Sequence, residues 1–169
     1  MRRILGIDPG SRVTGYGVIL SDGSRSSHLA SGCIRVTNED FAQRLGEIFR
    51  QVAAVVAEYE PEELAIEQVF VAKNPASALK LGQARGAAIC AAVVAGLPVS
   101  EYTPRMIKQS VVGTGGADKA QVEHMVRRIL GIDCKLAPDQ SDALAVAISH
   151  AHSRPRLLPF GTMIGGRRR

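Results

Sequence analysis

The chain has no tryptophan, only three tyrosines and four phenylalanines, three cysteines, and no long uncharged apolar run. Each shortage excludes something. Cys33, Cys90 and Cys134 are odd in number, far apart and without C-x-x-C spacing. That argues against a disulfide framework or a zinc site, and for a reducing compartment. No run approaches the ~18 uncharged apolar residues of a membrane helix, and the N-terminus lacks the plan of a signal peptide. The expected location is the cytoplasm, with no membrane partner. Because aromatics are few, one placed in a polar loop carries more information than usual.

What is present describes one globular domain. The 169 residues are 46% hydrophobic and 22% charged, enough for a proper core. The net charge of +5 suits a polyanionic partner. Short apolar runs at 3–8, 14–21 and 28–36, separated by Asp8-Pro9-Gly10 and Asp22-Gly23, predict an antiparallel meander. Phe41, Leu45, Ile48, Val52, Val55 and Val56 recur at helical spacing, so 40–59 is an amphipathic helix stopped by Pro61. A strand at 63–67 follows, then a helix over 76–96 and a strand at 98–102. From Gly86 onward the helix is apolar nearly all round, so it is expected to be buried on more than one side. Thr103-Pro104 opens a helix, Asp118 with Gln121 caps another through Leu130, and a last helix runs from Asp139 to about His152. The fold class is α/β, a five-stranded mixed sheet of three antiparallel strands followed by parallel ones, flanked by helices. The domain is expected to span 1–154, with 155–169 a basic, disordered tail.

Four carboxylates stand at the ends of apolar segments: Asp8, Glu67, Asp139 and Asp142. Singly, each has an ordinary reading. Asp8 suits a turn, Glu67 a solvated strand end, and the Asp139–Asp142 pair a helix N-terminus, where acids gain roughly 0.3–1 kcal/mol from the dipole. Together they change meaning. Crossover connections can set the first and fourth strands side by side, and a final helix across the sheet can bring its acids to the same edge. Such a cluster can hold two Mg²⁺ ions roughly 3.5–4 Å apart, the arrangement that hydrolyses phosphodiesters.

The ordered motifs Gly6-Ile7-Asp8-Pro9-Gly10-Ser11, Ile66-Glu67-Gln68-Val69-Phe70, Asn74, Leu81-Gly82-Gln83-Ala84-Arg85-Gly86, Lys108-Gln109-Ser110-Val111, Lys119 and Asp139-Gln140-Ser141-Asp142-Ala143-Leu144 resemble the RuvC family, over about residues 3–153. These are bacterial Holliday junction resolvases of ribonuclease H-like fold. The resemblance implies a homodimer that binds four-way DNA and makes paired nicks in strands of like polarity, leaving 5′-phosphates and 3′-hydroxyls. It implies that Asp8, Glu67, Asp139 and Asp142 are the metal-binding catalytic residues, with two Mg²⁺ per site and Mn²⁺ as a substitute. It makes Phe70 a stacking aromatic at the junction, Lys108 and Lys119 contacts to the DNA backbone, and a branch-migration motor a partner.

On residue chemistry alone, Phe70 could equally anchor its loop on the core, and Lys108 could be a solvated cation. Lys119 sits in a helix first turn, where a cation is mildly unfavourable, so something outside the helix is expected to hold it. Gly82 and Gly86 permit close approach by another helix, and a two-fold dimer would set two sites on two symmetric strands. His150 and His152 point in different directions and receive no role. Two other readings compete. Asp8-Pro9-Gly10-Ser11 with Gly15 also resembles the phosphate loop of actin-like ATPases and phosphotransferases, which need a second domain that 169 residues do not provide. A non-catalytic junction-binding protein would gain nothing from four acids at its contact surface.

Overall fold

The structure, a computed structural model, describes residues 1–69 and 74–153. Phe70 and the expected tail at 155–169 lie outside the described residues. The elements are β1 (Arg2–Asp8), β2 (Val13–Ser21), β3 (Ser26–Arg35), α1 (Phe41–Tyr59), β4 (Glu63–Glu67), α2 (Pro75–Val94), β5 (Val99–Tyr102), α3 (Pro104–Val112), α4 (Lys119–Leu130) and α5 (Pro138–Ser153). They form one five-stranded sheet in the order β3-β2-β1-β4-β5. The first three strands pair antiparallel, and β4 and β5 add in parallel beside β1, as the sequence predicts.

Period-two alternation sorts the strand side chains into two cores. Leu5, Ile7, Val18, Leu64 and Ile66 pack with α1 and α2, through Ile48, Val52, Ala84 and Ala88. Ile4, Ile19, Ala65 and Tyr102 face the other way, against Ile107, Val126, Leu144 and Ile148 of α3, α4 and α5. The central strands are covered on both faces, which is why β1 and β4 read as nearly unbroken apolar runs.

The helix starts are built locally. Asp40 accepts from the Gln43 amide, Asn74 from Ala76 and Ser77, and Thr103 from Met106. Asp118 and Gln121 complete a reciprocal capping box at the start of α4. Helix α2 packs on one side within the chain. Its buried residues Ala84, Ala88, Ala91 and Ala92 lie along one side only. Among the described residues, Leu79, Val93 and Val94 are exposed, and nothing stands over Gly82 or Gly86. The sheet offers α2 a single packing surface, so its second apolar side has no cover among the described residues.

Candidate active site

Alternation places residues 4, 6 and 8 of β1 and residues 63, 65 and 67 of β4 on the face toward α5. The two strands run parallel with Ile7 beside Ile66, so Asp8 and Glu67 leave neighbouring strand ends on the same side. Across β1, Asp8 is paired with Gly15 of β2. Helix α5 lies directly on this region because the strands carry glycine there. A Cβ on Gly15 would run into the carbonyl of Asp139, and one on Gly6 into the carbonyl of Ala143. The first turn of α5 can therefore settle on the strand ends, and Asp139 and Asp142, three residues apart on one helix face, arrive beside Asp8. The positive end of the helix dipole lies at the same place.

The charges behave as one group. Asp8 is pushed up to about 8 by burial and then by the charges of Glu67, Asp142 and Asp139. Glu67 is raised by burial and by Asp142, against the pull of its hydrogen bond with Asp8 and of Lys119 and Lys108. The two carboxyls are joined by a hydrogen bond, which requires a proton on one of the pair. All four carboxylates expected from the sequence are thus brought together. Among the described residues, however, no group of three or more His, Cys, Asp and Glu side chains is arranged to hold a metal as it stands. The carboxylates converge, but Asp142 Oδ2 is turned onto Lys119 Nζ at 2.8 Å. The donor set itself, four half-buried oxygen ligands burdened by mutual repulsion, fits a hard divalent cation.

Lys119 finds the anchor its unfavourable helix position called for, and the ion pair with Asp142 raises its ammonium. Its side chain stays 79% exposed. Lys108 on α3 is half-buried and lies close enough to draw Glu67 down. Phe70 lies outside the described residues.

Two further groups near this sheet were given no individual role by sequence reasoning. Arg85 of α2 donates from Nε to the main-chain carbonyl of Glu67 at 3.0 Å. At the opposite end of the same face, buried Glu63 takes His150 Nε2 at 2.6 Å and Arg2 Nη1 at 2.7 Å, while Tyr102 Oη lies 2.7 Å from His150 Nδ1. His150 thus has a structural place, satisfying a buried carboxylate. The signal available in the sequence was Glu63, a charge opening an otherwise apolar strand.

The family model for the crossover junction endodeoxyribonuclease RuvC matches residues 4–150. A protein of that name from Marinobacter nauticus is 58% identical over 158 residues, covering 94% of this chain and 90% of its own length. One from Photobacterium profundum is 56% identical over 169 residues, covering 100% of this chain and 98% of its own. Among solved structures, Thermus thermophilus RuvC in complex with a Holliday junction substrate superposes with a TM-score of 0.85 at 36% identity, covering 89% of this chain and 93% of that one. The yeast mitochondrial Holliday junction resolvase, at 12% identity and a TM-score of 0.67 over 89% of this chain and 79% of its own, shares the fold. With two carboxylates from strand ends and two from the first turn of α5 meeting at one sheet edge, and relatives matching it along nearly its whole length, this chain belongs to the RuvC family of crossover junction endodeoxyribonucleases.

Proposed function

We propose that this chain resolves four-way DNA junctions as a metal-dependent endonuclease acting in recombination and repair. The observation that carries the reading is the gathering of Asp8, Glu67, Asp139 and Asp142 at one strand edge, where Asp8 is pushed up to about 8 by burial and like charge. A protein that only grips phosphates has no use for such a cluster, since it repels the backbone.

Asp8, Glu67, Asp139 and Asp142 are the residues that would hold two Mg²⁺ ions, with Mn²⁺ able to replace them. Bound there, the ions would supply an activated water and neutralise charge on the leaving oxygen. The side chains have their own tasks. Asp8 must give up the proton it shares with Glu67 before the cluster can ligate. Lys119 must release Asp142, and its exposed ammonium is then available to a backbone phosphate. Lys108 flanks the same phosphate from α3. Phe70, two residues beyond the half-buried Gln68, is assigned to stacking on a base at the junction, a contact worth about 1–3 kcal/mol. Attack by water forms one P–O bond and breaks the bond to the 3′ oxygen, leaving a 5′-phosphate and a 3′-hydroxyl.

The working unit is a homodimer joined through the open face of α2, so that two sites nick two strands of like polarity. A branch-migration motor complex is the expected partner and the cytoplasm the location. Among the described residues no helix is long and apolar enough to cross a membrane. The nuclease domain is assigned to 1–154, with the basic residues of 155–169 outside it.

The test is a synthetic mobile four-way junction beside linear duplex, with and without Mg²⁺. Paired nicks should appear in the junction alone and only with the metal. Asp8→Asn should abolish nicking, by about 10³-fold or more, while junction binding persists. Retained cleavage in that variant would overturn the assignment of the cluster.

A further inference from the structure

We propose that Arg85 is a positioning residue for Glu67, bracing the end of β4 from helix α2; the inference rests on the nuclease reading above. The ladder between β1 and β4 ends at the pair Ile7–Ile66, and the one between β4 and β5 at Glu67–Tyr102. The last strand bond beyond them runs from the Gln68 amide to the Tyr102 carbonyl. Glu67 therefore stands where the sheet stops holding the chain on the β1 side. Arg85 takes over there, its Nε donating to the Glu67 carbonyl at 3.0 Å.

The guanidinium is itself held. Arg85 Nη2 lies 2.9 Å from Glu101 Oε2 of β5. The two meet as charges rather than along the line of a directed hydrogen bond, so Nη2 has no hydrogen-bond partner although it is buried. Glu101 Oε2 also accepts from Gln68 Nε2, at 3.4 Å. The Arg85 side chain is only 17% exposed, so it is not placed to serve as an open phosphate contact. Two elements thus clamp the 67–68 peptide: α2 through Arg85 on the Glu67 carbonyl, and β5 through the Tyr102 carbonyl on the Gln68 amide, with Glu101 holding the guanidinium. Fixing that peptide plane fixes the direction in which the Glu67 carboxylate leaves the strand toward Asp8. The cations that draw on the carboxylate itself are Lys119 and Lys108. Arg85 works on the main chain.

The experiment uses the full chain, with Mn²⁺ binding followed by electron paramagnetic resonance without DNA, junction affinity measured in chelator, and single-turnover nicking at saturating Mg²⁺. Arg85→Met keeps the apolar stem and removes the donors. Mn²⁺ affinity and the nicking rate should each fall about tenfold, while junction affinity holds. Arg85→Lys, which can still donate to the carbonyl, should recover part of both. Glu101→Gln, a milder change that keeps its size, should move both in the same direction by less, and it decides the matter should Arg85→Met not fold. Wild-type Mn²⁺ affinity in these variants overturns the brace. So does a lost junction affinity with normal nicking of the bound complex, which would make Arg85 a DNA contact. A wild-type chain without Mg²⁺-dependent nicking defeats the resolvase reading instead, so the two failures are distinct.

Discussion

At the scale of single residues, Asp8 concentrates the energetics of the site. Its carboxyl is held up to about 8 against an ordinary 3.8, so the folded chain keeps a proton that the unfolded chain releases. The stability this contributes is complete below about pH 4 and is lost progressively as pH rises toward 8. Protein in chelator should therefore melt lower at pH 8 than at mildly acid pH. Asp8→Asn, which removes the ionisable group, should melt higher than wild type near pH 8 and nearly the same near pH 4. Each kcal/mol relieved corresponds to about 2–4 °C in a chain of this size. Mg²⁺ should raise the wild-type midpoint at pH 8 and move the variant little. Equal midpoints for the two proteins at both pH values would mean that burial and like charge do not strain Asp8.

The decisive element is α5, and its seat decides whether the site exists. Asp139 and Asp142 reach Asp8 only because Gly6 and Gly15 present bare backbone to the helix. The helix is also buried along most of its length, from Ala143 to Ala151. A methyl group at Gly15 meets the Asp139 carbonyl, which no rotamer change can relieve. Gly15→Ala should lift the N-terminal turn of α5, at a cost of about 1–3 kcal/mol in urea unfolding. It should also lose nicking disproportionately, because the lift carries two carboxylates away. A variant that is destabilised yet cleaves at the wild-type rate would show that α5 does not set the site.

For the whole molecule, the open question is α2. Leu79 is 70% exposed and Val94 78%, in a helix whose other side packs tightly on α1 and the sheet. The dimer proposal rests on that exposed face and on the open space that the described residues leave over Gly82 and Gly86. Leu79→Glu puts a charge there, and burying it unpaired costs several kcal/mol, each 1.4 kcal/mol being about tenfold in the dimer constant. Sedimentation should show monomer at concentrations where wild type is dimeric, and paired nicking should fall to single nicks. An unshifted dimer would place the interface elsewhere. The overall charge of +5 around a local acidic centre fits a substrate whose backbone is held by cations at a distance and approached by acids only at the scissile bond.

Most of the fold was legible in the sequence because its signals are local. Period-two runs, the helical spacing of Phe41 through Val56, and the caps at Thr103 and Asp118 are settled within a few residues of chain. The four carboxylates stood out as well, Asp8 and Glu67 because each closes an apolar run, Asp139 and Asp142 because they open an apolar helix. Tertiary structure alone decided how those parts meet. It set Ile7 beside Ile66, seated α5 on Gly6 and Gly15, turned Lys119 onto Asp142, and brought Arg85 to the Glu67 carbonyl. It also left one side of α2 exposed among the described residues of the single chain. The reason is physical. Hydrophobic periodicity shows which face of an element is buried, but not which distant backbone it lies against, and proton sharing between Asp8 and Glu67 depends on that closeness.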